Sequence, residues 1–146
     1  MSIFQDLPLA RYQVDRGASL RTDDGWDRRA FESNMTRVLV VNDHSVPVTD
    51  DLSLILVAPQ SLDITLRDFS HNAVLLGDDG VHTYVGLVNE TATVDATAWA
   101  HLREIGAALS SFDIGLAITA VAMSQWHATH RYCTRCGAAT LPVQAG

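Results

Sequence analysis

Ala73-Val74-Leu75-Leu76, then Gly77-Asp78-Asp79-Gly80, then Val81-His82-Thr83-Tyr84-Val85-Gly86-Leu87-Val88 is the stretch on which the fold turns. An apolar run leads into a loop of glycine and aspartate. A second run follows, with Val81, Thr83, Val85 and Leu87 on one face. The pattern predicts two strands joined by a hairpin. Upstream, Arg37-Val38-Leu39-Val40-Val41 is β-branched and reads as a strand. Asn42-Asp43-His44 turns the chain, and Ser45-Val46-Pro47-Val48 is expected to pair back as a short strand. Pro47 cannot donate to a ladder and belongs at an edge or an end. A further apolar run at 52–57 reads as a buried strand, so the first ninety residues or so are expected to be mostly sheet.

Outward from the sheet the character changes. Residues 4–17 show no period and read as an irregular arm. Thr22-Asp23-Asp24 is a helix-start signal, with Trp26 and Ala30 on one face after it. Beyond the hairpin, Trp99, Leu102, Ile105 and Leu109 stand at helical spacing and predict a helix over 99–109. Ser110 and Asp113 fit a capping box that opens a helix over 111–127, apolar almost all round in its first turns. The tail from His130 is a separate small element. Strands followed by helices define an α+β fold.

The 146 residues suffice for one domain with a sizeable core, and the composition, 47% hydrophobic and 18% charged, is that of a globular protein. The net charge of −7, with arginine as the only basic residue besides histidine, argues against broad binding to a nucleic-acid backbone. The longest apolar run, 114–123, falls short of the roughly 20 residues that span a bilayer. Met1-Ser2-Ile3-Phe4-Gln5-Asp6 has neither the basic nor the apolar region of a signal peptide, so a cytoplasmic location is expected and no membrane partner.

The chemistry concentrates in Cys133-Thr134-Arg135-Cys136-Gly137, which holds both cysteines of the chain. Two thiolates at this spacing bind one metal from a tight knuckle, and Gly137 allows the turn that presents backbone N–H groups to sulfur. A structural Zn²⁺ wants four ligands, so this is half a site. A redox pair is the rival, but that motif normally opens a helix after a strand, and here it follows a helix. His127 and His130 extend the pattern to His-x2-His-x2-Cys-x2-Cys, nominally four ligands. Ligands so close in sequence would crowd one ion, and both imidazoles equally suit the negative pole of a helix end.

Trp126-His127-Ala128-Thr129-His130-Arg131-Tyr132-Cys133-Thr134-Arg135-Cys136-Gly137-Ala138-Ala139-Thr140 resembles the junction in NADH pyrophosphatases of the Nudix superfamily, with Ala100-His101-Leu102-Arg103 before it. There a long helix ends in Trp-His, and His-(Arg/Lys)-(Phe/Tyr)-Cys-x2-Cys-Gly-x2-Thr opens a four-cysteine zinc ribbon. Leu7-Pro8-Leu9-Ala10-Arg11, Asp15-Arg16, Arg21-Thr22-Asp23-Asp24-Gly25-Trp26 and Leu75-Leu76-Gly77 agree in order. The resemblance implies a non-catalytic, Nudix-like mixed sheet with flanking helices over residues 1–127. It implies the first half of a zinc ribbon over 128–146, with Cys133 and Cys136 as zinc ligands. It further implies a homodimer and a parent enzyme that splits NADH or NAD⁺, or NAD-capped RNA ends, yielding nicotinamide mononucleotide and AMP from the dinucleotide. A second Cys-x2-Cys and a catalytic Nudix domain binding Mg²⁺ or Mn²⁺ are then expected downstream of this chain.

The Nudix box, G-x5-E-x7-R-E-x2-E-E, has no match. Arg103-Glu104 is the nearest approach, but Asn89 and Asp95 stand where Gly and Glu are needed, and Ala107 and Ala108 where two glutamates are needed. No catalytic or substrate-binding residue is therefore expected in this chain. His44, His71, His82 and His101 are scattered and read as surface or strand positions; Asp50-Asp51 and Asp78-Asp79 read as loops. Trp26, Trp99 and Trp126 are expected in the core, on helices beside apolar residues. The alternative function, from a different class, is a freestanding module with a zinc knuckle that binds a protein or nucleic acid.

Overall fold

The computed structural model describes residues 13–88, 92–143 and 145. The expected irregular arm at 4–17 lies largely outside them, as does Leu7-Pro8-Leu9-Ala10-Arg11. The described chain is α+β, as the pattern of strands and helices implies. Its strands are β1 (Thr36–Val41), β2 (Ser45–Val48), β3 (Ala73–Asp78), β4 (Thr83–Val88) and β5 (Ala98–His101). Its α-helices are α1 (Ala18–Arg21), α2 (Trp26–Glu32), α3 (Leu66–Asn72), α4 (Leu102–Ile105) and α5 (Ser111–Thr129).

The main sheet is mixed, in the order β1-β4-β3. The hairpin forms as read: β3 and β4 are antiparallel, with an irregularity between Leu75 and Gly77. Its turn lies two residues later than the glycine pattern suggests, over 79–82, and Val81 is exposed outside the strand. Asp79 holds this turn. Its Oδ1 accepts the N–H groups of Val81 (2.8 Å) and His82 (2.6 Å), and its Oδ2 accepts the Tyr84 hydroxyl (2.7 Å). β1 joins the other side of β4 in parallel, from Thr36↔Thr83 to Val41↔Val88.

Several expectations need correction. β2 does not form a ladder with β1. One bridge, Asn42↔Ser45, closes the turn, and β2 pairs instead with β5 in a separate antiparallel sheet. The run at 52–57 is no strand. Leu52 takes a left-handed φ of 60°, and only single bridges at Leu54 and Val57 touch β2 and β1. The helix expected over 99–109 is displaced: 98–101 is strand β5, and only Leu102–Ile105 is helical. Among the described residues up to Val88 there are also three α-helices and a 3-10 turn at Pro59–Ser61, so this part is not mostly sheet. One of them, α3, opens on a reciprocal capping box between Thr65 and Asp68.

The sheet is buried on both faces because strand side chains alternate. Leu39 and Val41 of β1 face one cluster with Val46, Val48, Leu116, Ala117 and Ala120. Val38 and Val40 face the other, with Val85, Leu87, Phe69 and Ala30. Helix α5 covers the first face. Ser110 caps α5, its hydroxyl accepting the Asp113 N–H at 3.0 Å, and the helix runs two residues past the expected end. Gly86 permits close contact between β4 and α5: a Cβ there would stand 3.2 Å from that of Ala120. Helices α2 and α3 lie over the second face, where the rings of Phe31 and Phe69 meet at 5.3 Å. Among the described residues, no helix is long and apolar enough to cross a membrane.

Candidate metal knuckle and its cleft

The C-terminal segment leaves α5 at His130 and doubles back on itself. Tyr132 bridges Ala139, and the Cys133 N–H donates to the Ala138 carbonyl at 2.8 Å. The Gly137 N–H donates to the Cys133 carbonyl at 2.9 Å, with Gly137 at a left-handed φ of 70°. This φ is nearly free for glycine and strained for other residues. Within the turn the Arg135 N–H, then the Cys136 N–H and thiol, donate toward the Cys133 sulfur and hold its pKa below the ordinary thiol value. The structure thus places Cys133 and Cys136 together, with the backbone arranged to favour thiolate. Both are free thiols, Cys133 half-buried and Cys136 exposed.

The donor set around them stops at two. Among the described residues, no group of three or more His, Cys, Asp and Glu side chains is placed to hold a metal ion. His130 stacks on Trp126 (centroids 3.6 Å apart, planes within 11°), and its Nδ1 lies 3.0 Å from the Trp126 carbonyl. His127 lies in the last turn of α5. Burial lowers its pKa, and its Nε2 is buried without a hydrogen-bond partner. The two thiols therefore fit half of a tetrahedral zinc site.

Beside the knuckle, a cleft of about 1040 Å³ opens between the end of α5, the C-terminal segment and the carboxyl ends of the parallel strands β1 and β4. Asp43, His71, Gln125 and His127 contribute polar groups, and Trp126 and Tyr132 contribute aromatic surface. Trp126 is 57% exposed and Tyr132 66%, so Trp126 is not the core residue its helical setting suggests. Trp99 also departs from expectation: it lies on β5, 39% exposed. Trp26 is partly buried against the second core cluster.

Arg103 and Glu104 sit exposed on α4. Asp78 and Asp79 are occupied with the hairpin, as a turn reading requires. The scattered histidines hold one surprise. His44 and His101, distant in sequence, come together across the turn before β2 and the end of β5, with ring centroids 5.4 Å apart. Only long-range strand pairing makes them neighbours. The chain matches no known family model, and no curated protein matches it.

Proposed function

We propose that this chain is the non-catalytic domain of an NAD(H) diphosphatase and carries the first cysteine pair of its zinc ribbon. The observation that supports this most directly is the knuckle. Two thiols at Cys-x2-Cys spacing follow the 19-residue helix α5, whose last turns carry Trp126 and His127, and backbone N–H groups face the Cys133 sulfur. Cys133 and Cys136 would hold Zn²⁺ with a second pair, the ion acting as a structural staple. The parent enzyme would act as a cytoplasmic homodimer. Mg²⁺ or Mn²⁺ in a Nudix domain would drive the cleavage of NADH, NAD⁺ or NAD-capped RNA. This chain contributes support and no reacting group.

The coding sequence that follows Gly146 is the direct test. A second Cys-x2-Cys and then a Nudix box are expected; a stop codon at that point would refute the reading. The chain alone should release no AMP from NADH with Mg²⁺ or Mn²⁺. Metal-dependent release that scales with protein would place catalytic residues here and overturn the assignment.

The second reading, a freestanding interaction module with a zinc knuckle, draws on the apolar surface around the cleft, where Leu141 and Val143 are exposed with Trp126 and Tyr132. The charge of −7 weakens its nucleic-acid form. A stop codon after Gly146 would favour it.

A further inference from the structure

Among the described residues, three of the four outer sheet edges are sealed by the chain itself. On β1, Val38 exchanges hydrogen bonds with Val57 at 2.8 and 3.0 Å. On β3, Asp78 exchanges bonds with Asp15, and the Leu75 N–H donates to the Ala145 carbonyl at 2.9 Å. On β2, Ser45 exchanges bonds with Asn42, and the Pro47 carbonyl accepts the Ile55 N–H at 2.9 Å. The outer edge of β5 is the exception.

The bonds on β2 fix which groups of β5 are left over. Ser45 and Pro47 aim their backbone groups away from β5, and in an antiparallel ladder directly opposed residues do so together. Their partners are His101 and Trp99. The N–H and carbonyl of Trp99 and the N–H of His101 therefore point out from the sheet, where among the described residues no hydrogen bond reaches them. The His101 carbonyl is committed to α4, which His101 caps. Natural edges are commonly blunted by proline, charge or a bulge. Residues 96–101, Ala-Thr-Ala-Trp-Ala-His, hold no proline, lysine or carboxylate, and the ladder with β2 runs without a register shift.

His101, the last residue of β5, also lines a pocket of about 320 Å³. Its walls are apolar: Leu102 of α4, then Ile114, Ile118 and Val121 of α5. The volume stands at the bottom of the roughly 300–1,000 Å³ range of small-molecule sites and suits one large side chain. Arg103 lines it too, but Glu104 is exposed next to Arg103 on α4, so charge does not choose the occupant.

We propose that the β5 edge is a docking site for an extended segment of another polypeptide, which adds an antiparallel strand and sets one large apolar side chain into the pocket. Free main-chain donors and an acceptor in strand alternation are met by another main chain, and the pocket supplies the side-chain preference. A partner residue opposite Trp99 exchanges two bonds with it, and the His101 N–H takes a third. The site stands apart from the knuckle and does not depend on the diphosphatase reading.

Hydrogen exchange on the isotopically labelled chain tests the edge. The Trp99 and His101 amides should exchange much faster than those of Ala98 and Ala100, which face β2. The probe is the acetylated, amidated peptide Thr-Val-Thr-Phe-Thr-Val-Thr. It should bind saturably and slow exchange at Trp99 and His101. Two N-methylated forms, one blocked at its third and fifth residues and the other at its second, fourth and sixth, each lose the donors of one edge. One should bind as the parent does and the other at least about tenfold more weakly. Replacing the phenylalanine by alanine should weaken binding by about tenfold or more, and Ile118→Trp, which fills the pocket, should erase that difference. Trp99→Pro removes an outward N–H without costing a bond to β2 and should weaken the peptide by about tenfold, whereas Trp99→Val, which keeps the N–H, should not. Absence of saturable binding, or equal binding of both N-methylated forms, would overturn the proposal. Trp99 and His101 amides protected in the free chain would also overturn it: protection lost on dilution would give the edge to a second copy, and protection at every concentration to the chain itself.

Discussion

At the scale of single residues, two small constellations make separate claims. The first is the cysteine knuckle. Two thiolates supply half of what a structural zinc prefers, so the isolated chain should bind the ion weakly. Elemental analysis after dialysis against a mild chelator should find well under one zinc per chain. His127→Ala and His130→Ala should leave that value unchanged, since His130 Nδ1 already meets the Trp126 carbonyl. A tight one-to-one zinc lost on either substitution would assign the histidines as ligands. Half an ion per chain would instead indicate four cysteines shared between two copies. The second constellation is Tyr84 and Asp79. Burial, then the Asp79 carboxylate, raise the Tyr84 pKa to about 12, while the His82 N–H, the Tyr84 hydroxyl and the Val81 N–H hold Asp79 well below the usual carboxylate range. For Tyr84 the folded pKa lies above the unfolded value of about 10. Its contribution to stability is therefore complete below pH 10 and is lost as pH rises toward 12. For Asp79 the folded value is depressed, so its contribution is present above about pH 4 and fades as pH falls through the folded value. Tyr84→Phe should lower the melting temperature at pH 8 and flatten the alkaline decline; an unchanged alkaline profile would rule Tyr84 out as its source.

At the scale of elements, β4 and α5 approach closely at Gly86. Gly86→Ala places a Cβ within 3.2 Å of Ala120 and 3.3 Å of Leu76. Ala120 is the rigid partner, because its Cα lies only 3.6 Å from the added atom. Gly86→Val should cost about 1–3 kcal/mol in urea denaturation, the usual range for overpacking. Ala120→Gly should cost about 1 kcal/mol alone through helix propensity, yet partly rescue Gly86→Ala. Additive losses in the double variant would show that the two positions do not share one contact. Elements of this kind were legible in the sequence where the signal is local. The hairpin turn has its Asp-Gly pair, α5 has Ser110 and Asp113, and β1 has its β-branched run. Thr65 and Asp68 carry an equally local signal, a capping box, that would have revealed α3. The failures share a cause. Residues 52–57 are apolar enough for a strand, but Leu52 turns left-handed and the run makes only single bridges. Trp99 and Leu102 keep helical spacing, but pairing of 98–101 with β2 overrides it. The knuckle cysteines announce themselves by spacing, whereas the His44–His101 contact depends on that same non-local pairing and has no sequence signature.

At the scale of the whole molecule, stability rests on strands shared between two cores. Val38 and Val40 serve one cluster and Leu39 and Val41 the other, all from β1. β4 divides in the same way: Val85 and Leu87 face the α2–α3 side, while Gly86 and Tyr84 face the α5 side. Neither layer can leave without exposing the strands that the other layer needs covered, and burial of apolar surface is the main stabilising term. The edge of β3 adds a further tie. Asp15 and Asp78 exchange backbone hydrogen bonds of 2.9 and 2.8 Å, and Arg21 Nη2 donates to the Leu75 carbonyl at 2.7 Å, so the N-terminal segment is bound to the same sheet. The described chain should therefore unfold in one step, without a partner domain. Far-ultraviolet circular dichroism reports the helices on both faces. Tryptophan fluorescence reports Trp26 on the α2 side, Trp99 on β5 and Trp126 near the end of α5. Heated in parallel, the two signals should give one coincident transition, with calorimetric and van't Hoff enthalpies in agreement. Fluorescence that changes well before the circular dichroism would show that one layer separates first. A broad melt in both signals would mean that shared strands alone do not hold the domain together, and that the covering of another domain is required.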